Sequence, residues 1–261
     1  MGVGGGQTGA GMPGGMRVVN GARQGRVAGF QVGFVDADGS EVRSSLTDAV
    51  AVSFEKATPV RSIPSYQGQR NNPGLYWAAT MSAHVGFESW LERDEAMALD
   101  FDPDVTAFAS QPLWLFWQES GKVRSHAPDF FARRADGTGV VIDCRPESRI
   151  KPRDAAAFAA TERACNEVGW AYRRVSEHDP VWMANVRWLA GYRHPRNLVQ
   201  PTASALLTGC AEPRRLIDAA RSVGDPIAVL PVLYHLMWSR HLLVDLSERL
   251  EALSVVSAVS R

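Results

Sequence analysis

The alternation of apolar and polar positions changes character several times along the chain, and each change predicts a different element. Over residues 27–60 the apolar side chains of Phe30, Val32, Phe34, Val42, Val50, Val52 and Phe54 recur at strand spacing around Asp36-Ala-Asp-Gly39, which predicts a β-hairpin. Tyr66 to Asn72 is rich in turn formers, ends at Pro73-Gly74 and predicts a loop. Phe87, Trp90, Leu91, Met97, Ala98 and Phe101 then follow helical spacing until Asp102-Pro103 stops the helix. Three extended stretches come next: Leu113–Trp117, Val123–Ser125 running into Asp129–Arg133, and Val140–Cys144. A helix over Pro152–Val168, closed by Gly169, and a last strand over Trp170–Val175 complete this block.

Beyond Pro180 the texture changes. Val181–Tyr192 is aromatic and helical, and Arg193-His-Pro-Arg-Asn197 has the make-up of a linker. Helical stretches follow at Thr202–Thr208, Pro213–Val223 and Pro226–Arg240, then a short extended pair, Leu242–Leu246 and Ser254–Val259. Three helices and a terminal β-ribbon predict a winged-helix-like module, which would dock a partner or place a helix in a DNA groove. The resulting plan is a Gly-rich disordered tail (1–24), a β extension (25–80), an α/β core (81–180) and a C-terminal, mostly helical module (181–261).

Two acids break the strand pattern of the core. Asp129 stands between Pro128 and Phe130-Phe131, and Asp143 stands inside Val140-Val-Ile-Asp-Cys-Arg145. A buried acid in a strand requires a partner or a metal. Asp136-Gly137 is a turn signal that makes the two strands neighbours. Asp143 and Arg145 share a face, roughly 7 Å apart along the backbone. Two carboxylates and a cation at one sheet edge suit a hard divalent ion and phosphodiester hydrolysis. The bland alternative is an exposed Asp143–Arg145 ion pair. His126 and Gln111 lie close enough in sequence to join such a site, although strand-capping and turn roles are their ordinary readings.

The formal net charge is zero, so no overall field attracts nucleic acid; residues 81–180 are net acidic and residues 181–261 net basic. In the basic half, Arg214, Arg215, Arg221 and Arg240 form a candidate DNA-facing set. The three cysteines, Cys144, Cys165 and Cys210, include no CxxC pair, which argues against a zinc site or a disulfide framework and for a reducing, cytoplasmic setting. No apolar run approaches a membrane span, and the first 16 residues lack the apolar core of a signal peptide.

Five segments in order carry a resemblance: Ser89-Trp-Leu-Glu92-Arg-Asp, Leu99-Asp-Phe-Asp-Pro103-Asp-Val105, Gln111-Pro112, His126-Ala-Pro-Asp-Phe130 and Ile142-Asp-Cys-Arg-Pro146. Together, over about residues 85–175, they resemble TnsA-type heteromeric transposase endonucleases of the PD-(D/E)xK nuclease superfamily. The resemblance implies a restriction-endonuclease-like core and Mg²⁺ (or Mn²⁺) held by Glu92, Asp129 and Asp143. It also implies work alongside a DDE-type transposase and an AAA+ ATPase regulator. It selects Glu92 from the stripe Glu88, Glu92, Glu95, which helical spacing alone reads as a solvated face; Asp94 interrupts the apolar side. The family's last motif position is Lys, whereas this chain has Arg145. With only three Lys against 25 Arg, that departure fits a general bias, and Lys151 is a second candidate cation. Arg cannot act as a base, so a catalytically impaired DNA-binding or assembly subunit is the alternative, and a stand-alone restriction- or repair-type nuclease a further one.

Overall fold

The computed structural model describes residues 17–18, 29–62 and 72–259. The expected tail, apart from Arg17–Val18, and most of the expected loop Tyr66–Asn72 lie outside these residues. The described chain is a mixed α/β structure with six α-helices.

After β1 (Arg17–Val18), β2 (Gln31–Val35) and β3 (Glu41–Ser45) form the hairpin announced by Asp36–Gly39. Asp36 Oδ1 accepts from the amides of Asp38 and Ser40 and locks the turn. The alternation does not continue as strand through Val50 and Val52. Thr47 and Asp48 start a run of turns there, and Ser45 Oγ accepts from the Asp48 amide. Phe54 then drops into the core on a 3-10 turn, Phe54–Lys56.

The hairpin β4 (Gly74–Ala78) and β5 (Ala83–Phe87) precedes α1 (Trp90–Phe101). Phe87, which falls on the helical spacing, belongs to β5, because Ser89 caps the helix and fixes its start. Five strands then follow before the next α-helix: β6 (Val105–Ser110), β7 (Trp114–Glu119), β8 (Lys122–His126), β9 (Phe130–Arg134) and β10 (Gly139–Cys144), which leads into α2 (Pro152–Val168) and β11 (Ala171–Val175). The stretch from Val123 to Arg133 is two strands separated by Ala127-Pro128-Asp129, since proline cannot donate to a ladder.

This separation sorts the strands into two sheets. β7 and β8 leave the core to pair with the N-terminal strands in the order β1-β3-β2-β7-β8. β6, which the sequence pattern does not mark as a strand, takes the vacated place in the second sheet, β11-β10-β9-β6. There β9 is antiparallel to both β6 and β10, and β11 is parallel to β10 across the α2 crossover. Gly169, at φ 74°, ends α2 in the left-handed conformation that glycine adopts without strain.

The second sheet is apolar on both faces. Val140, Ile142 and Cys144 point to the α1 side with Phe108 and Phe130. Val141 and Phe131 point to the α2 side, where they share one cluster with Val32, Phe34 and Phe54 of the N-terminal strands. The β extension therefore packs into the core cluster. Phe54 makes edge-to-face contacts with Phe34, Phe131 and Trp170, at 5.3, 5.6 and 5.7 Å between centroids.

The third cluster holds the C-terminal helices: α3 (Pro180–Ala190), α4 (Gln200–Gly209), α5 (Leu216–Val223) and α6 (Pro226–Trp238). Arg214–Arg215, expected at a helix start, instead forms the short strand β12. It pairs with β14 (Val255–Ala258), and β13 (Leu242–Val244) lies on the other side of β14. Phe101, at the end of α1, joins this cluster beside Trp182 and Trp238 and anchors the module to the core.

Candidate active site

Ser89 caps α1 and sets its first turn. Its hydroxyl accepts from the Glu92 amide at 3.2 Å and donates to Glu92 Oε1 at 2.8 Å. The Glu88 amide, one residue before the cap, donates to Glu92 Oε2 at 2.7 Å and holds that carboxylate against the helix start. The acidic stripe is therefore not a solvated face. Glu92, Asp94 and Glu95 are all buried, because α1 lays them against the sheet and α3. Asp94 is held below its ordinary range: burial would raise it, but hydrogen bonds from Arg187 and Arg93 prevail. Glu95 pairs with Arg173 and His178 of the β11 region.

Asp129 occupies the break between β8 and β9. Its Oδ2 accepts from the Cys144 amide at 2.7 Å, and its backbone carbonyl accepts from the Gln111 amide at 2.9 Å. Gln111 is buried at φ 46°, a strained value for a non-glycine residue, so its part is to pin the backbone beside the site. Asp143 is 1% exposed and turned to the α2 side of β10. Its Oδ1 lies 2.7 Å from His126 Nε2, and its Oδ2 accepts from the Tyr172 hydroxyl at 2.9 Å. Burial and Asp143 push the Tyr172 hydroxyl well up, so it remains a donor at any physiological pH.

Glu92, Asp129, Asp143, His126, Arg145, Arg61 and Glu88 line one cavity of about 720 Å³. Burial, followed by the charges of Glu92 and Asp143, pushes the Asp129 carboxyl well above its ordinary 3.8. Burial also raises Glu92, against the hydrogen bonds from Glu88 and Ser89. Cys144 is raised well above its ordinary value by burial and then by Asp129, so it stays a thiol and offers no thiolate.

The donor chemistry, three carboxylates whose charges oppose one another, is that of a site for a hard divalent cation. Their spacing is looser than a finished coordination sphere: among the described residues, no three His, Cys, Asp or Glu side chains form a group close enough to hold an ion. Asp143 is turned to His126 and Tyr172, and Glu92 to its own helix cap.

The repulsion has a measurable sign. A carboxyl raised in the folded state keeps its proton longer there than in the unfolded chain. Stability is therefore favoured below about 3.8 and lost as pH climbs through the raised folded value. Without divalent ions, melting temperature should fall across that window for the wild type relative to Asp129→Asn. Parallel pH curves for the two proteins would show that Asp129 feels no such repulsion.

Arg145 sits on the cavity rim with a side chain 45% exposed and its Nη2 3.8 Å from Asp154 of α2. Lys151 caps α2 and is exposed outside the cavity lining. Tyr172, Arg61 and Glu88 were not singled out from the sequence pattern. Tyr172 reaches Asp143 through the parallel β10–β11 register, and Arg61 arrives from a segment far upstream.

The four C-terminal arginines of the candidate set are placed differently. Arg215 and Arg221 are exposed, and Arg214 donates to Ser222 Oγ at 3.2 Å. Arg240 turns inward at φ 59°, with its guanidinium 3.8 Å above the Phe101 ring and Nε donating to the Phe101 carbonyl at 3.4 Å. It is spent on joining the module to α1.

Residues 102–177 match the family described as TnsA-like endonuclease N terminal. No curated protein matches the chain. The matched segment runs from the end of α1 through β11. It includes His126, Asp129, Asp143, Arg145 and Tyr172, and it leaves out Glu92, Arg61 and the C-terminal helices. The β9–β10–α2–β11 unit that presents Asp129 and Asp143 thus lies within the segment that is similar to the TnsA-like endonuclease N-terminal domain.

Proposed function

We propose that the chain is the metal-dependent DNA endonuclease subunit of a heteromeric transposase, hydrolysing phosphodiester bonds at the ends of the element. The observation that carries this reading is Asp129, half-buried in one cavity with Glu92 and Asp143 and lying within the segment that matches the endonuclease family. Glu92, Asp129 and Asp143 would hold the ion, Mg²⁺ or Mn²⁺. When bound it would supply Lewis acidity and an activated water. Asp129 is fixed for this by the Cys144 amide. His126 and Tyr172 orient Asp143 as second partners of a ligand do. Arg145 on the rim would meet the DNA backbone or the charge that develops at phosphorus.

The partners implied are DNA, a DDE-type transposase subunit and an AAA+ ATPase regulator. In the C-terminal module the order is helix, strand, helix, helix, then two strands, with β14 central, and this order supports a winged-helix-like reading. The helix that would enter a groove is α6, and it carries no Lys or Arg. Its exposed Ile227 suits a protein surface better than phosphates. That favours docking of the ATPase or transposase over DNA at α6, with Arg215 and Arg221 at its flank. Among the described residues no helix is long and apolar enough to cross a membrane.

The orientation of Arg145 towards Asp154 favours a second reading, a nuclease fold kept for assembly without catalysis. Nicking of plasmid DNA by the full chain, alone and with its transposition partners, separates the two. For the active subunit, cleavage requires Mg²⁺ or Mn²⁺, Arg145→Lys retains it, and Arg145→Ala lowers it on the order of 10²-fold. A wild type inert with every ion and partner, from which Arg145→Lys restores nicking, would establish the second reading.

A further inference from the structure

Arg61 stands outside every motif, yet it is built into the carboxylate cavity. The Val60 amide donates to the Gln111 carbonyl at 2.8 Å, and the Gln111 amide donates to the Asp129 carbonyl at 2.9 Å. Two backbone hydrogen bonds thus carry position from Asp129 to the residue before Arg61. The guanidinium Nη2 is 3.0 Å from Glu88 Oε2, and the Glu88 amide holds Glu92. Arg61 lines the same cavity as Asp129 and Glu92, so its positive charge favours both carboxylates. Its side chain is 37% exposed, open to a ligand entering the cavity. Arg145 is directed to Asp154 on the α2 side. Glu88 meanwhile keeps a buried oxygen, Oε1, without a hydrogen-bond partner among the described residues. The Arg61–Glu88 pair therefore leaves Glu88 only partly satisfied, and the pair can be exchanged for a better one.

We propose that Arg61 is a further catalytic residue, a guanidinium that leaves Glu88 to grip the phosphate being cut. This rests on the nuclease reading above. A guanidinium fork matches two phosphate oxygens, and it is placed where the charge of the reacting phosphate must approach three carboxylates.

The test uses the full chain and a short fluorescent DNA duplex, with Ca²⁺ in place of Mg²⁺ so that binding is read without cutting. For Arg61→Ala and Arg61→Gln the log–log slope of affinity against salt should fall by about one relative to the wild type, and Arg61→Lys should keep it. Cleavage with Mg²⁺ should fall on the order of 10²-fold for Arg61→Ala. Glu88→Gln, which removes the ion pair but leaves the guanidinium in the cavity, should keep the slope. An unchanged slope in both Arg61→Ala and Arg61→Gln overturns the proposal. So does Glu88→Gln reproducing their loss, because Arg61 would then act only by holding Glu88. A wild type that binds no duplex at all sinks the nuclease reading itself, an outcome distinct from either.

Discussion

Asp129→Asn is expected to abolish cleavage, a loss on the order of 10³-fold or more, while leaving the fold intact or slightly more stable. The substitution keeps an acceptor for the Cys144 amide, so the 2.7 Å hydrogen bond that fixes the β8–β9 break survives. What it removes is the charge. In the wild type that charge is opposed by burial and by Glu92 and Asp143, and only a cation relieves the conflict. Mg²⁺ should therefore raise the melting temperature of the wild type by mass action, and that of Asp129→Asn much less. The measurements are nicking rate and thermal melting with and without Mg²⁺. Cleavage by the variant within tenfold of wild type, or an equal Mg²⁺ shift in both proteins, would remove Asp129 from the site.

Asp129 and Asp143 were legible because each stands against an apolar run, Asp143 inside β10 and Asp129 just ahead of Phe130-Phe131, where an acid has no place without a partner. Nothing in the helical pattern distinguishes Glu92 from Glu88 or Glu95, since all three share a face. The pattern reads that face as solvated, yet it is covered by the sheet and by α3, and coverage depends on contacts distant in sequence. The same limit explains β6. Val105–Ser110 alternates weakly, and its strand state comes from β9, more than twenty residues later. The pairing of β7 with β2 spans some eighty residues, and no local signal encodes it. Tyr172 and Arg61 are missed for a like reason: a tyrosine in a short strand and an arginine before a loop are ordinary until register and backbone bonds aim them at a carboxylate. The local punctuation was more dependable. Asp36–Gly39, Ser89, Asp102-Pro103 and Gly169 begin or end their elements through hydrogen bonds within a few residues.

Neighbouring residues on β11 supply the second large effect. Arg173 and Arg174 are adjacent arginines of similar side-chain exposure, 43% and 37%, and each makes one ion pair with a glutamate. Side chains alternate across a strand, so the two reach opposite sides of the sheet. Arg173 meets Glu95, whose side chain is 0% exposed, and Arg174 meets Glu147, which is 68% exposed. The glutamate's burial decides which pair matters. Arg173→Ala leaves a buried carboxylate with only His178, 3.2 Å from its other oxygen. The expected cost lies toward the lower end of about 3–5 kcal/mol, because His178 remains as a partial partner. Arg174→Ala leaves Glu147 in water and should cost about 0–1 kcal/mol. Glu95 lies one turn along α1 from Glu92, so loss of the Arg173 anchor should also loosen the helix that brings Glu92 to the cavity. Arg173→Ala should then reduce cleavage even below its unfolding midpoint, where Arg174→Ala leaves that anchor untouched. Urea denaturation of both variants decides the point: equal midpoints would mean that Glu95 does not depend on Arg173, and that α1 is held to the sheet by its apolar contacts alone.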